Sequence, residues 1–126
     1  MIDHVSVPVR DLAAAAAFYA RVLAPLGYSK LVERPATVGF GKKYPELWLN
    51  LRPGLAAPGD NPGAHVALRA SSEEAVRAFH AAALAMRGVS DGEPGPRQAA
   101  MTTYFGAFII DPDGNKIEAL SFPGTA

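Results

Sequence analysis

The 126-residue sequence predicts an α+β fold of two βαβββ modules related by a pseudo-twofold axis. Three observations carry that expectation. Ile2–Leu23, "IDHVSVPVRDLAAAAAFYARVL", is echoed by Gly63–Leu84, "GAHVALRASSEEAVRAFHAAAL", at a constant shift of 61 positions. Each copy opens on an alternating, valine-bearing strand and runs on into an apolar stripe at helical spacing. Each helix is then followed by shorter strand-like pieces. One such half leaves a sheet face uncovered, so the two halves are expected to pack together.

In the first copy, residues 2–9 read as a strand. Asp11 is a good N-cap, and Leu12, Ala15, Tyr19, Val22 and Leu23 form the helical stripe that Pro25 and Gly27 end. "YSKLVER", "TVGF" and "ELWLNL" supply three further strands. In the second copy residues 64–70 read as a strand. Ser71 and Glu74 have capping-box spacing. Val76, Phe79, Ala83 and Leu84 form the stripe, and Gly88 closes the helix. "DGEPGPR", Asp91–Arg97, reads as a Gly/Pro-rich loop, either a lid or a plain connection. "TTYFGAFII" and "KIEALSF" are strands joined by a hairpin turn at "DPDG", Asp111–Gly114. Residues 1–52 form module one, 53–62 a Pro/Gly-rich linker and 63–126 module two.

Composition narrows the functional classes. Twelve basic and twelve acidic side chains cancel, so neither nucleic acid nor an anionic membrane is an expected partner. No apolar run is long enough to span a bilayer. The alanine run Ala13–Ala17 lies between Asp11 and Arg21, which suits a helix and not a signal core. The cytoplasm is the default compartment, with no positive signal for it. The chain has no cysteine, which leaves any metal site to His, Asp and Glu.

The repeat gives the histidines meaning. The chain has three, and His4 and His65 are a matched pair. On the first strand Val5, Val7 and Val9 share the helix-packed face, which turns His4, Ser6 and Pro8 to the other. In the second copy Val66 and Leu68 oppose His65, Ala67 and Arg69. Both histidines therefore face the concave side. In the last strand Ile117 and Ala119 fit the helix-packed face, which turns Glu118 inward. Two imidazoles and one carboxylate can occupy one face of an octahedral divalent ion and leave positions open for substrate. The alternative is a pair of half-buried strand histidines and a surface glutamate. His80 matches Tyr19 and is expected to be solvated.

The segments "IDHVSVPVRDLAAAAAFY", "AHVALRASSEEAVRAFH" and "AFIIDPDGNKIEAL" together resemble the vicinal oxygen chelate superfamily, over almost the whole chain. That superfamily contains glyoxalase I, extradiol dioxygenases, fosfomycin-resistance thiol transferases and bleomycin-resistance proteins. The resemblance implies paired modules curled into a cleft around a metal. It makes Glu118 the terminal metal carboxylate and a catalytic residue, with His4 and His65 as the other ligands. It implies a divalent ion (iron, manganese, nickel or zinc), a small oxygenated substrate and a homodimer, often with modules exchanged. Glyoxalase I has a fourth ligand, a glutamate on the last strand of module one. Asn50 is read as its counterpart here, with Glu46 on the same face. Asparagine cannot shuttle a proton, so turnover of the methylglyoxal–glutathione adduct is expected to be slow or absent. A glyoxalase-like lyase or isomerase is the nominal activity, with dioxygenase or thiol transferase as alternatives. A metal-free binding protein is the alternative from another class.

Other side chains are candidates for the cleft. Arg69 shares the face of His65 and suits an anionic substrate group, or simply reaches solvent. Trp48 and Asn50 share a face and line the pocket, unless Trp48 is plain core. Tyr104, beside Phe105 and ahead of a strand edge, is a candidate acid or hydrogen-bond donor, with packing as its alternative. Arg97 would be the reactive tip of the Asp91–Arg97 lid.

Overall fold

Each module folds as the repeat requires. The computed structural model describes residues 1–56, 59 and 63–123, so much of the expected linker and the last residues of module two lie outside the described residues. Module one runs β1 (Val5–Val9), α1 (Leu12–Leu23), a single 3-10 turn (Ala24–Leu26), β2 (Ser29–Glu33), β3 (Thr37–Gly41) and β4 (Pro45–Leu51). Module two runs β5 (Val66–Arg69), α2 (Glu73–Ala85), β6 (Val89–Gln98), β7 (Thr103–Ile110) and β8 (Lys116–Ser121). The sheets have equivalent strand orders, β1-β4-β3-β2 and β5-β8-β7-β6. In each, the first and last strands of the module pair parallel and the other pairs are antiparallel.

The strand alternation sorts the core as expected. Val7, Val9, Val38, Leu47 and Leu49 are buried under α1, and Leu68, Ile109, Ile117 and Ala119 under α2. The helices also pack against each other, which joins both halves in one core. Asp11 caps α1 by accepting from Ala14 N at 3.1 Å. The α2 cap is Ser72, accepting from Ala75 N at 3.1 Å, so the expected Ser71–Glu74 box does not form. Leu84 is exposed, and its expected place in the stripe is taken by His80, which is buried. His80 Nε2 lies 2.8 Å from Ser90 Oγ, and that bond lets an imidazole occupy a helix face expected to be apolar.

The Asp91–Arg97 segment is a strand, contrary to the expected loop. Pro94 and Pro96 are tolerated because β6 is the outer strand of its sheet, and its pairing to β7 slips twice, around Gly92. The expected lid or connection is therefore an outer strand paired to β7.

At the end of α2 the left-handed residue is Arg87, with φ 72°, while Gly88 N donates to Ala83 O at 2.7 Å. A non-glycine residue in that conformation costs about 1 kcal/mol. Arg87→Gly is therefore expected to raise the urea midpoint by the equivalent of about 0.5–1 kcal/mol. An unchanged or lowered midpoint would show that the arginine side chain compensates the strain.

The modules are fastened by the Asp-Pro-Asp-Gly turn. Gly114 adopts φ 91° and its N–H closes the turn on Asp111 O at 3.0 Å. Buried Asp111 accepts from Tyr19 Oη of α1, from Asp113 N at 2.8 Å and from Asn115 N at 2.9 Å. Asn115 Nδ2 also donates to Pro8 O at 2.9 Å, and Arg10 bridges to Asp113 Oδ1 at 3.0 Å. The side chains of the turn thus hold module one in place.

Candidate functional site

Module two carries the carboxylate expected to bind metal. In the parallel β5–β8 pair, Ala67 stands opposite Glu118. Glu118 lies on the face away from α2, yet its side chain is only 4% exposed. His65, just ahead of β5, places Nε2 3.2 Å from Glu118 Oε1. Phe108, the β7 partner of Glu118, meets the His65 ring edge-on at 5.6 Å between centroids. Lys116 lies over the same phenyl ring and is paired to Asp91 at 2.7 Å. Glu118 Oε2 is buried without a hydrogen-bond partner. An orphaned carboxylate oxygen is costly unless something outside the chain satisfies it.

Tyr104 lies within β7, not ahead of it, and closes the other side of this carboxylate. A Cβ at Gly106 would come within 2.8 Å of the Tyr104 ring and 3.3 Å of Glu118 Oε2, so both border the space that this glycine leaves open. The Tyr104 phenol is held above its ordinary range, first by burial and then by the Glu118 carboxylate, with Arg97 opposing. It is therefore a proton donor at neutral pH. Arg97 is not a lid tip; from β6 it donates to Glu93 O at 2.5 Å and lies beside Gly92 and Gly95. Arg69 rests over Phe122, 4.7 Å from the ring centroid.

Module one presents the matching face. His4 Nδ1 is 2.7 Å from Asp3 Oδ1, and its side chain is half exposed. Trp48 is half-buried, not core, and its indole lies over Gly39, where a Cβ would come within about 3.0 Å of the ring. Glu46 accepts from Tyr28 Oη at 2.7 Å. The strand register corrects the correspondence between modules. Ser6 pairs with Trp48 as Ala67 pairs with Glu118, so the counterpart of Glu118 is Trp48, not Asn50. By the same register Gly39 is the counterpart of Phe108. Module one thus puts an indole where module two has its carboxylate, and a glycine where module two has a phenyl ring.

His4 and His65 border a common cavity of about 320 Å³. Yet among the described residues no three His, Asp or Glu side chains come close enough to hold one ion. One chain brings together two of the expected donors, His65 and Glu118. Their chemistry fits a divalent ion: two ligands bonded at about 2.1 Å and at a right angle lie about 3 Å apart. The unsatisfied Glu118 Oε2 fits the same role. Phe108, Gly106 and Arg34, which borders Trp48, were not singled out by sequence. Phe108 and Gly106 follow from the alternation that turns Glu118 inward, while Arg34 sits in a turn that the alternation does not orient.

Two curled four-stranded sheets backed by paired helices, with a buried carboxylate beside a histidine, define a glyoxalase-like fold with an inward polar face. A family profile described as the glyoxalase/bleomycin resistance protein/dioxygenase superfamily matches residues 1–119, and the chain belongs to that superfamily. A glyoxalase/bleomycin resistance protein from Albidiferax ferrireducens T118 is 34% identical, with a TM-score of 0.83 over 94% of this chain and 97% of that one. The fold is shared with a fosfomycin resistance protein, FosX, from Listeria monocytogenes, at 16% identity and TM-score 0.67 over 96% and 92%. It is also shared with a glyoxalase I variant from Zea mays, at 21% identity and TM-score 0.72 over 94% of this chain and 44% of that one. No curated protein sequence matches the chain significantly. No helix among the described residues is long and apolar enough to cross a membrane.

Proposed function

We propose that this chain is a metal-dependent enzyme acting on a small oxygenated substrate, with His4, His65 and Glu118 as ligands of one divalent ion (iron, manganese, nickel or zinc). The observation that carries this reading is Glu118: a buried carboxylate with one oxygen on His65 and the other unsatisfied. Such an ion, when bound, supplies Lewis acidity toward neighbouring substrate oxygens. The chain's own residues do the rest. His65 and Glu118 hold one side of the site, and Phe108 fixes the imidazole plane. Tyr104, kept protonated, donates to a substrate oxygen that gains charge. Arg69 and Arg97 orient anionic substrate groups, and Trp48 and Asn50 line the module-one wall.

Glutathione-dependent methylglyoxal isomerisation stays outside this reading. The position that would carry a fourth carboxylate is an indole, and Glu46 is engaged by Tyr28. A glyoxalase-like lyase or isomerase of another substrate is favoured, with ring-cleaving dioxygenase and thiol transferase as alternatives. Metal-free ligand binding is the reading from another class, favoured by the gathering of only two of the expected donors among the described residues of one chain. Elemental analysis of protein purified without added metal or chelator separates the classes, and a substrate panel run with each ion separates the reactions.

The same shortage of donors supports a homodimer with exchanged modules, in which His4 of one chain completes the site built on His65 and Glu118 of the other. Co-expressing a His4→Ala chain with a Glu118→Ala chain is then expected to regenerate one intact site per heterodimer. Half-stoichiometric metal in the purified heterodimer supports exchange, and none refutes it. Light scattering that gives a monomer across micromolar concentrations refutes the dimer.

A further inference from the structure

We propose that Arg34 and Trp48 form an anion-binding subsite on module one. It takes a small organic carboxylate, with the carbon skeleton against the indole and the carboxylate in the guanidinium fork. The inference deepens the reading of the two concave faces as halves of a substrate cleft and rests on that reading for its place in catalysis. The binding step itself uses module one alone.

The platform is built before any ligand arrives. Trp48 stands opposite Gly39 on β3, and the missing Cβ lets the indole lie flat on the sheet. Any larger residue at 39 would meet the ring. Arg34 sits in the turn between β2 and β3, where its N–H donates to Thr37 O at 2.9 Å. Pro35 follows it and restricts that turn further. Its guanidinium carbon is 5.8 Å from the indole centroid, within cation–π range. His4, Ser6, Thr37 and Asn50 border a shallow, open depression of about 220 Å³ beside the pair, lined with imidazole, hydroxyl and amide groups.

The guanidinium of Arg34 selects an anion. Among the described residues, no carboxylate lies within ion-pair distance of Arg34, Arg69 or Arg97. Four carboxylates of the two modules are already engaged. Glu33 is held by Lys30 at 2.8 Å, Asp91 by Lys116 at 2.7 Å, Asp3 by His4 at 2.7 Å and Glu46 by Tyr28 at 2.7 Å. Among the described residues the Arg34 guanidinium is thus left without a carboxylate counterion and free to meet an external one. An exposed guanidinium beside an aromatic face pairs bidentately with a carboxylate while the ring takes the apolar body.

The test uses the only tryptophan in the chain as its own reporter. Benzoate is titrated into the full-length, metal-free protein while Trp48 emission is followed, with benzamide as the uncharged isostere. Saturable quenching by benzoate, at least about tenfold stronger than by benzamide, is expected for a charge-selected site. Arg34→Gln should weaken benzoate about tenfold or more and erase the preference over benzamide, while Arg34→Lys recovers part of it. Arg34 is exposed, so these variants should fold, and far-UV circular dichroism checks that they do. Equal binding of benzamide, an unchanged Arg34→Gln titration, or no saturable response overturns the proposal. A wild-type chain that holds no divalent ion yet shows the Arg34-dependent response overturns the metal reading and supports this one.

Discussion

Glu118→Gln is expected to abolish stoichiometric divalent-ion binding and, in metal-free protein, to raise stability by about 1–3 kcal/mol. Both effects come from one environment. The carboxylate is 4% exposed, contacts His65 through Oε1, faces the Tyr104 phenol, and leaves Oε2 without a hydrogen bond of ordinary geometry. Without an ion, the fold carries the desolvation of a charge with half its lone pairs unpaired. An amide at the same place removes the charge. His65 is left without a partner, but its side chain is 39% exposed and water replaces the lost contact. With an ion, the sign reverses, because loss of even an outer-shell partner costs about 10–100-fold in affinity and a direct ligand costs more. Calorimetric titration with manganese or zinc measures the first effect and urea unfolding of chelated protein the second. A Glu118→Gln protein that keeps its ion, or that unfolds at lower urea than the metal-free wild type, would remove Glu118 from the metal site. The opposed signs matter because a purely structural glutamate would lose stability on substitution in either state.

This site was partly legible in sequence because strand alternation has a period of two. Once Ile117 and Ala119 are assigned to the helix-packed face, Glu118 must turn the other way, and it does. The repeat likewise placed His4 and His65 at equivalent ends of β1 and β5. It failed further along, where the modules differ in length. β6 has ten residues where β2 has five, and β7 has eight where β3 has five. Counting from motif to motif therefore put Asn50 where hydrogen-bond register puts Trp48. The same local logic misread β6, since Gly and Pro mark turns by default and only the outer position of the strand makes them tolerable. His80 was misread because its partner, Ser90, lies on a segment taken for a loop. Whether one chain or two would assemble the proposed metal site depends on how faces meet, which periodicity does not encode.

Asp111→Ala is expected to destabilise the protein by about 3–5 kcal/mol, the cost of breaking a buried network while its other members stay buried. Asp111 accepts four hydrogen bonds, from Tyr19 Oη, Asp113 N, Asn115 N and Asn115 Nδ2. Tyr19 is fully buried in α1, so its hydroxyl is left with no acceptor and no water. Tyr19→Phe removes the donor instead and leaves Asp111 three of its four bonds, so it should cost less, about 1–2 kcal/mol. The two substitutions share one contact and should not add. A double-mutant cycle is expected to return a coupling of about 1–3 kcal/mol, and simple additivity would dissolve the lock between the modules. Alkaline titration gives an independent readout. Burial, reinforced by the Asp111 carboxylate, raises the Tyr19 phenol well above its ordinary value near 10. A group whose folded pKa is raised contributes stability that is intact below the unfolded value and lost as pH climbs through the folded one. Urea midpoints of the wild type should therefore fall above about pH 10, and fall less steeply in Tyr19→Phe. Asp111 runs against the usual acid pattern. Burial raises its carboxyl above 3.8 despite the hydrogen bonds that favour the anion, so its own contribution falls as pH rises through that window. Loss of the lock should therefore show at high pH and on substitution, and Asp111 should not be a source of acid unfolding.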